Sequence, residues 1–273
     1  MKTRGGKGSI VLIGAGRMGS ALLAGWQGRG LGPVIVVEPH PSPPIRKLAK
    51  AGTIRLTQTP SGVTAKKIAA CVVAIKPQVL KGEAPVLAAL ARSDVPMISI
   101  AAGTSIAALS KAWGAKARII RAMPNIPGAI GEGISGLYAA KGATASDRRL
   151  AASLLSALGE VVWVKRESLI DSVTAISGSG PAYLFLMAEA LADAGVAEGL
   201  PRGIAEKLAR ATVSGAGALL KADKSPAAAL RAAVTSPGGT TAAALSVLMA
   251  EDGLQALIKR AVAAAKKRAE ELR

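Results

Sequence analysis

The apolar run Ser9-Ile10-Val11-Leu12-Ile13 ends directly in Gly14-Ala15-Gly16-Arg17-Met18-Gly19, after which Ala21-Leu22-Leu23-Ala24 open a helical pattern. No other feature constrains the fold as much as this succession of strand, glycine loop and helix. The first glycine permits a tight turn, the second lets a pyrophosphate approach the backbone, and the third lets helix pack on strand. Alone such a triplet is a weak signal, and a glycine-rich turn without a ligand is the competing reading. Set between strand and helix, it marks a dinucleotide-binding unit. A second run, Val34-Ile35-Val36-Val37, ends in Glu38, roughly twenty residues beyond the fingerprint, where an acid would meet the adenosine ribose.

Strand and helix signals then alternate as far as residue 122. Helices are predicted near residues 45–50, through Val79, Leu80 and residues 86–90, and over residues 106–113. Strands are predicted at residues 54–56, around Cys71, and at residues 97–100 and 117–121. Residues 134–140, a helix over 147–158 and a strand at 160–164 complete the series. Such alternation predicts a parallel, doubly wound, Rossmann-like α/β sheet. From Leu169 on the strand signals stop. Ala/Leu-rich stretches with turns at Gly178-Ser179-Gly180-Pro181, Gly199-Leu200-Pro201 and Ser225-Pro226 predict an all-helical second domain. The expected division is residues 1–165 and 166–273.

Ligands of open α/β sheets bind beyond the carboxyl ends of the strands. Three further loops fall there: Ala74-Ile75-Lys76-Pro77, Ala101-Ala102-Gly103-Thr104 and Met123-Pro124-Asn125-Ile126-Pro127. Each by itself reads more readily as an ordinary strand-end turn; with the fingerprint they outline one crevice. A second anion site is suggested far along the chain, where Val234-Thr235-Ser236-Pro237-Gly238-Gly239-Thr240-Thr241 runs into an alanine-rich helix. The free N–H groups of that helix's first turn would face whatever occupies the loop. Ser236 or Thr240 acting only as an N-cap is the alternative, but one cap needs one side chain, whereas paired glycines let a ligand approach the backbone.

Composition narrows the function. With 273 residues, half of them hydrophobic, the chain can bury a core for two domains, and at 2% aromatic content it lacks the rings of a base-stacking surface. The net charge of +18 is scattered, with no basic run longer than Lys266-Lys267-Arg268, so we expect no nucleic-acid role; the positive field would draw anionic ligands to a cleft. No apolar run reaches the roughly 18 to 20 residues of a membrane span, and the basic stretch over residues 1–8 precedes a run that breaks too early for a signal peptide. We therefore expect a cytoplasmic protein with no membrane partner and a loose basic leader. Cys71 stands alone in a buried strand and His40, the single histidine, lies among prolines, so neither a Cys/His pair nor a histidine-ligated metal cluster can be assembled.

With these loops placed, the chain resembles the pyrroline-5-carboxylate reductases over residues 9–255. The resemblance is carried by Arg121-Ala122-Met123-Pro124-Asn125 with Gly131-Glu132-Gly133, by Ser177-Gly178-Ser179-Gly180-Pro181-Ala182-Tyr183, and by the loop of residues 234–241. It implies a Rossmann-like domain followed by a helical domain that dimerises by interleaving helices, with dimers often gathered into rings. It implies reduction of 1-pyrroline-5-carboxylate to L-proline with NAD(P)H. By resemblance, Ile13, Gly14, Ala15, Gly16, Arg17 and Met18, then Ala74, Ile75, Lys76, Pro77, and Ala101, Ala102, Gly103 would hold the cofactor, alongside Gly19 and Glu38 from the fingerprint itself. Val234, Ser236, Gly238, Gly239, Thr240 and Thr241 would bind the substrate, with Thr241 hydrogen-bonding the ring nitrogen.

The inventory suits that chemistry, because an iminium carbon accepts hydride without a nucleophile, a metal or a catalytic histidine. The family often prefers NADPH, yet Glu38 would repel a 2′-phosphate and accept hydrogen bonds from a free ribose diol, so the expectation leans to NADH. Arg46 and Lys47 fall inside the next helix. Two alternatives stay open: a related imine or β-hydroxyacid reductase, although the lysine on which the latter usually relies is not evident around residues 177–183, and a dinucleotide-binding protein without turnover. The apolar face of residues 182–194 and the helix of residues 204–220 exceed what so small a domain can cover, which predicts a homodimer or larger assembly.

Overall fold

The computed structural model describes residues 8–65, 67–92 and 94–272, so the basic leader as far as Lys7 lies outside the described residues. Strand β1 (Ser9–Ile13) is followed by helix α1 (Arg17–Gly28), β2 (Val34–Val37), α2 (Pro43–Lys50) and the short β3 (Arg55–Thr57). Next come β4 (Ile68–Val73), α3 (Pro77–Leu87), β5 (Pro96–Ser99), α4 (Ile106–Trp113) and β6 (Arg118–Met123). A 3-10 turn over Ile126–Ile130 leads to β7 (Gly133–Ala139), α5 (Ala145–Leu155) and β8 (Gly159–Trp163).

These strands form one sheet in the order β3-β2-β1-β4-β5-β6-β7-β8, which starts in the middle and winds outward both ways, the doubly wound arrangement. Pairing is parallel throughout except between β6 and β7. That reversal departs from the expected parallel alternation, and its cause is the connection: a parallel return needs a dozen or more residues, and only the short 3-10 turn joins these strands. Helix α5 also begins earlier than residue 147. Thr144 Oγ1 accepts from the Asp147 N–H at 3.1 Å while Asp147 Oδ2 accepts from the Thr144 N–H at 2.8 Å, a reciprocal cap that fixes the start.

The central strands are apolar on both faces because helices cover both. On one side Leu12, Val36, Val72, Ile98, Ile120 and Leu137 pack under α1, α2 and α5 with Trp26 at the centre, and the indole Nε1 donates to Leu154 O at 2.9 Å. On the other side Val11, Cys71, Val73, Met97 and Ile119 pack against Leu80, Leu87, Leu109 and Trp113 of α3 and α4. Cys71 is fully buried, and desolvation pushes its thiol pKa up to about 12.

The chain divides into two units, one running to Gly178 and including the stretch from Lys266 on, the other spanning Ser179 to Ala265. The division falls later than residue 165 because helix α6 (Leu169–Val173) and a π turn over Thr174–Gly178 belong with the sheet. Gly136 of β7 lies so near Val173 that a Cβ there would meet its side chain at 2.6 Å.

The second unit holds α7 (Gly180–Ala197), α8 (Arg202–Ala222), α9 (Ala227–Ala233), α10 (Thr240–Leu248) and most of α11 (Leu254–Glu271). Small side chains bring α7 and α8 together, with Gly195 opposite Ala205. Within this unit the buried residues among those described are the alanines Ala192, Ala205 and Ala209, while Leu184, Phe185, Leu186, Ile204 and Leu208 are all more than half exposed. No described helix is long and apolar enough to cross a membrane.

Candidate active site

The glycine loop has the geometry its sequence implies. Gly14 sits at φ +89, its N–H donates to Val37 O at 2.9 Å, and a Cβ there would lie 2.9 Å from Ala74 O. A Cβ on Gly19 would lie 2.2 Å from Gly14 O, so the third glycine is what lets α1 close on the strand. Gly16 differs: nothing stands within 4 Å of its Cβ position, and it caps α1 without a side-chain hydrogen bond. Open space above donors that no side chain claims at a helix N-terminus fits a dinucleotide pyrophosphate.

Glu38, at the carboxyl end of β2, turns back onto this loop. Its Oε2 accepts from the Ala15 N–H at 2.8 Å and its Oε1 from the His40 N–H at 3.1 Å, so the carboxylate is held from two sides. At the end of β4 the Ala74 N–H donates to Ile13 O at 2.8 Å, which joins two of the expected cofactor segments directly. Lys76 is exposed and caps α3, with Pro77 as that helix's first residue. At the end of β5 the Ala101 N–H donates to Ser99 Oγ at 3.3 Å, and Gly103 adopts φ +66. A Cβ on Gly103 would approach Leu272 O to 2.9 Å, a close approach by the end of the chain that local sequence does not announce. Ile13 to Gly19, Glu38, residues 74–77 and residues 101–103 thus line the carboxyl edge of four adjacent strands, in the order β2-β1-β4-β5.

The Arg121 to Asn125 segment and the glycines of residues 131–133 meet as well. Asn125 Oδ1 accepts from the Ile134 N–H at 2.9 Å, and a Cβ on Gly133 would lie 2.8 Å from that same oxygen. Asn125 therefore secures the entry to β7. Arg121 points into the interior, where its Nη1 lies 2.7 Å from Glu167 Oε1. Glu167 is the residue that sequence reasoning missed.

In the second unit, the loop of residues 234–241 prepares the N-terminus of α10. Gly238 adopts φ +70, and Gly239 is the N-cap, again with no side-chain cap. A Cβ on Gly239 would fall 2.4 Å from Ser236 Oγ, so the serine hydroxyl stands where a side chain at this position would be. Thr240 and Thr241 are the first two helical residues; Thr241 is half-buried, whereas Val234 and Ser236 are exposed.

Comparison with known proteins matches each part in turn. A family model for pyrroline-5-carboxylate reductase dimerisation matches residues 167–272, and one for NADP oxidoreductase, coenzyme F420-dependent, matches residues 9–103. The pyrroline-5-carboxylate reductase of Pseudomonas aeruginosa is 38% identical, covering 96% of this chain and 96% of its own. The solved pyrroline-5-carboxylate reductase of Coxiella burnetii has a TM-score of 0.87 at 34% identity and covers 97% of this chain and 98% of that one. The Plasmodium falciparum pyrroline carboxylate reductase, solved with NADP bound, has a TM-score of 0.80 at 27% identity over 97% of each chain. Likeness this extensive covers both the glycine-looped sheet and the helical unit, and on that basis the chain belongs to the pyrroline-5-carboxylate reductase family.

Proposed function

We propose that this protein reduces 1-pyrroline-5-carboxylate to L-proline with NAD(P)H, the last step of proline biosynthesis. The observation that carries the reading is a pair of helix N-termini, those of α1 and α10, each opened by a glycine and left without a side-chain cap. One suits a pyrophosphate and the other a small carboxylate. Residues 13–19, 74–77 and 101–103 hold the dinucleotide, with Glu38 at the ribose. The reduced nicotinamide, when bound, supplies the hydride that the imine carbon accepts, and the nitrogen's proton comes from water.

The rest of the work is orientation. The Gly239 N–H is taken by Ser236 O at 3.1 Å, so the Thr240 N–H and those that follow it in the first turn of α10 bind the substrate carboxylate, and the Thr241 hydroxyl hydrogen-bonds the ring nitrogen. Ser236 supports the loop, with Val234 and Gly238 beside it. No protein nucleophile is required, since the C=N carbon is already electrophilic. Glu38 favours NADH over NADPH. The helical part from about residue 166 both associates with a second copy and carries the substrate loop, a reading supported by the match to a dimerisation family.

The test is oxidation of NADH or NADPH that depends on added pyrroline-5-carboxylate and yields proline. A folded protein that binds the dinucleotide yet turns over none of this substrate refutes the reading. Turnover of a β-hydroxyacid instead reassigns the chain to the related reductases.

A further inference from the structure

One oxygen of Glu167 ties together segments far apart in sequence. Oε1 accepts from Arg121 Nη1 at 2.7 Å and from the backbone N–H of Ile106 at 2.7 Å. Ile106 is the first residue of α4, whose own N-cap, Ser105, takes the N–H of Ala108 at 3.2 Å. Two of the donors that open α4 are thus satisfied, one locally and one by a carboxylate 61 positions away. What keeps that carboxylate in place is Arg121, whose side chain is only 3% exposed on the interior of β6. A guanidinium so far from water demands a counter-charge, and a charge-assisted bond to it is short and directional.

The consequence concerns the loop between β5 and α4. It leaves the sheet at Ser99, is held near its start by the Ala101 N–H on Ser99 Oγ, and turns at Gly103 in the left-handed region. Its far end is the point at which Glu167 grips Ile106. We infer that Glu167 is a positioning residue for the dinucleotide: through the Ile106 N–H it fixes residues 101–103 in the conformation that receives the cofactor, and Arg121 anchors the carboxylate that does so. This rests on assigning residues 101–103 to the cofactor under the proposed function.

Two variants separate the tie from the fold. Glu167→Gln keeps the shape and removes the charge. Ile106→Pro removes the donated N–H together with a side chain that packs on the core, so Ile106→Ala, which keeps the N–H, is its control; both leave the Arg121 to Glu167 ion pair intact. Proline is tolerated at the first position of a helix, and the preceding Ser105, at φ −75 and ψ 157, already has the conformation that proline requires of its neighbour. NADH affinity is measured by fluorescence titration without substrate, and backbone exchange of residues 100–106 by hydrogen–deuterium exchange with and without NADH.

In the wild type, NADH should slow exchange across this loop. Glu167→Gln and Ile106→Pro, unlike the control, should bind NADH about tenfold more weakly, exchange faster at residues 100–106, and lose far less in kcat at saturating cofactor. A merely structural role would lower the melting temperature and the active fraction without moving the dissociation constant. If Glu167→Gln does not fold, Ile106→Pro against its control decides alone. A protected wild-type loop together with unchanged NADH affinity in folded Glu167→Gln, or equal affinity in folded Ile106→Pro and Ile106→Ala, overturns the inference while leaving the loop assignment standing. No protection in the wild type overturns the assignment itself, and the inference with it.

Discussion

Cofactor choice should be decided largely by Glu38, and its surroundings allow the size of the effect to be worked out. Both oxygens are engaged, by the Ala15 N–H at 2.8 Å and the His40 N–H at 3.1 Å. Swinging the carboxylate aside would forfeit two charge-assisted hydrogen bonds, each worth about 1.5 kcal/mol or more, so the acid has no cheap way to avoid a phosphate. If Glu38 meets the ribose, a 2′-phosphate brings nearly two negative charges to within about 5 Å of it, which costs about 2 kcal/mol at the dielectric of water and several times that in a drier site. Glu38 is half-buried at the sheet edge, so the lower figure applies, and salt trims it further.

A preference for NADH over NADPH of roughly thirtyfold in kcat/KM follows at low ionic strength. Glu38→Gln keeps an acceptor for the loop N–H and removes only the charge, so it should bring the ratio close to parity. Glu38→Ser, which also opens room, should narrow or reverse it. The assay is steady-state kinetics with each cofactor at saturating substrate and at two salt concentrations. A wild type that strongly prefers NADPH, with a ratio unmoved by either substitution, would mean that Glu38 does not face the ribose.

Thr241→Val keeps the shape and removes one hydrogen bond to a charged nitrogen, so kcat/KM should fall about tenfold to a hundredfold while NADH affinity barely moves and Ser236→Ala does less; an unchanged kcat/KM would return Thr241 to being the start of a helix. Leu184, Phe185, Leu186, Ile204 and Leu208 leave the second unit too exposed to stand alone, so light scattering at micromolar concentration should show a dimer or larger species, and a stable monomer would refute that reading. Burial holds the Cys71 thiol at about 12, so a maleimide at pH 8 should label it only after denaturation; labelling of the intact fold would contradict its place in the strand.

The parts of this fold that were legible in sequence are those whose constraint is local. Strands β1, β2, β4 and β5 are buried on both faces and so read as unbroken apolar runs, and Gly14 and Gly19 are each required by a contact a few residues away or directly across the loop, while Gly16 leaves open space. The direction of β7 was not legible, because Ile134, Tyr138 and their neighbours look the same in a parallel or an antiparallel ladder, and only the length of the connection decides. The start of α5 was within reach, since Thr144 three residues before Asp147 is a capping pair. Glu167 was out of reach. Its partners lie 46 and 61 positions away, and a glutamate between Arg166 and Ser168 carries no sign of a buried guanidinium waiting for it.

The two helix ends that the proposed function assigns to anions both open on an uncapped glycine, Gly16 and Gly239. Helices α4 and α5 have first-turn donors taken by side chains, those of Ser105 and Glu167 in one case and of Thr144 in the other. Helices α2, α3 and α7 carry proline in the first turn, which removes a donor outright. Helices α8 and α9, which follow Pro201 and Pro226, have neither a side-chain cap nor a first-turn proline, so an uncapped end alone marks no site; α1 and α10 add to it a glycine that lets a ligand reach the backbone. Unclaimed donors at a helix end are an expense in an isolated fold and an asset where an anion arrives, since the same N–H groups and the helix dipole then act together. Under the proposed function the dinucleotide and the carboxylate substrate are both anions, and the N-termini of α1 and α10 are where they would bind.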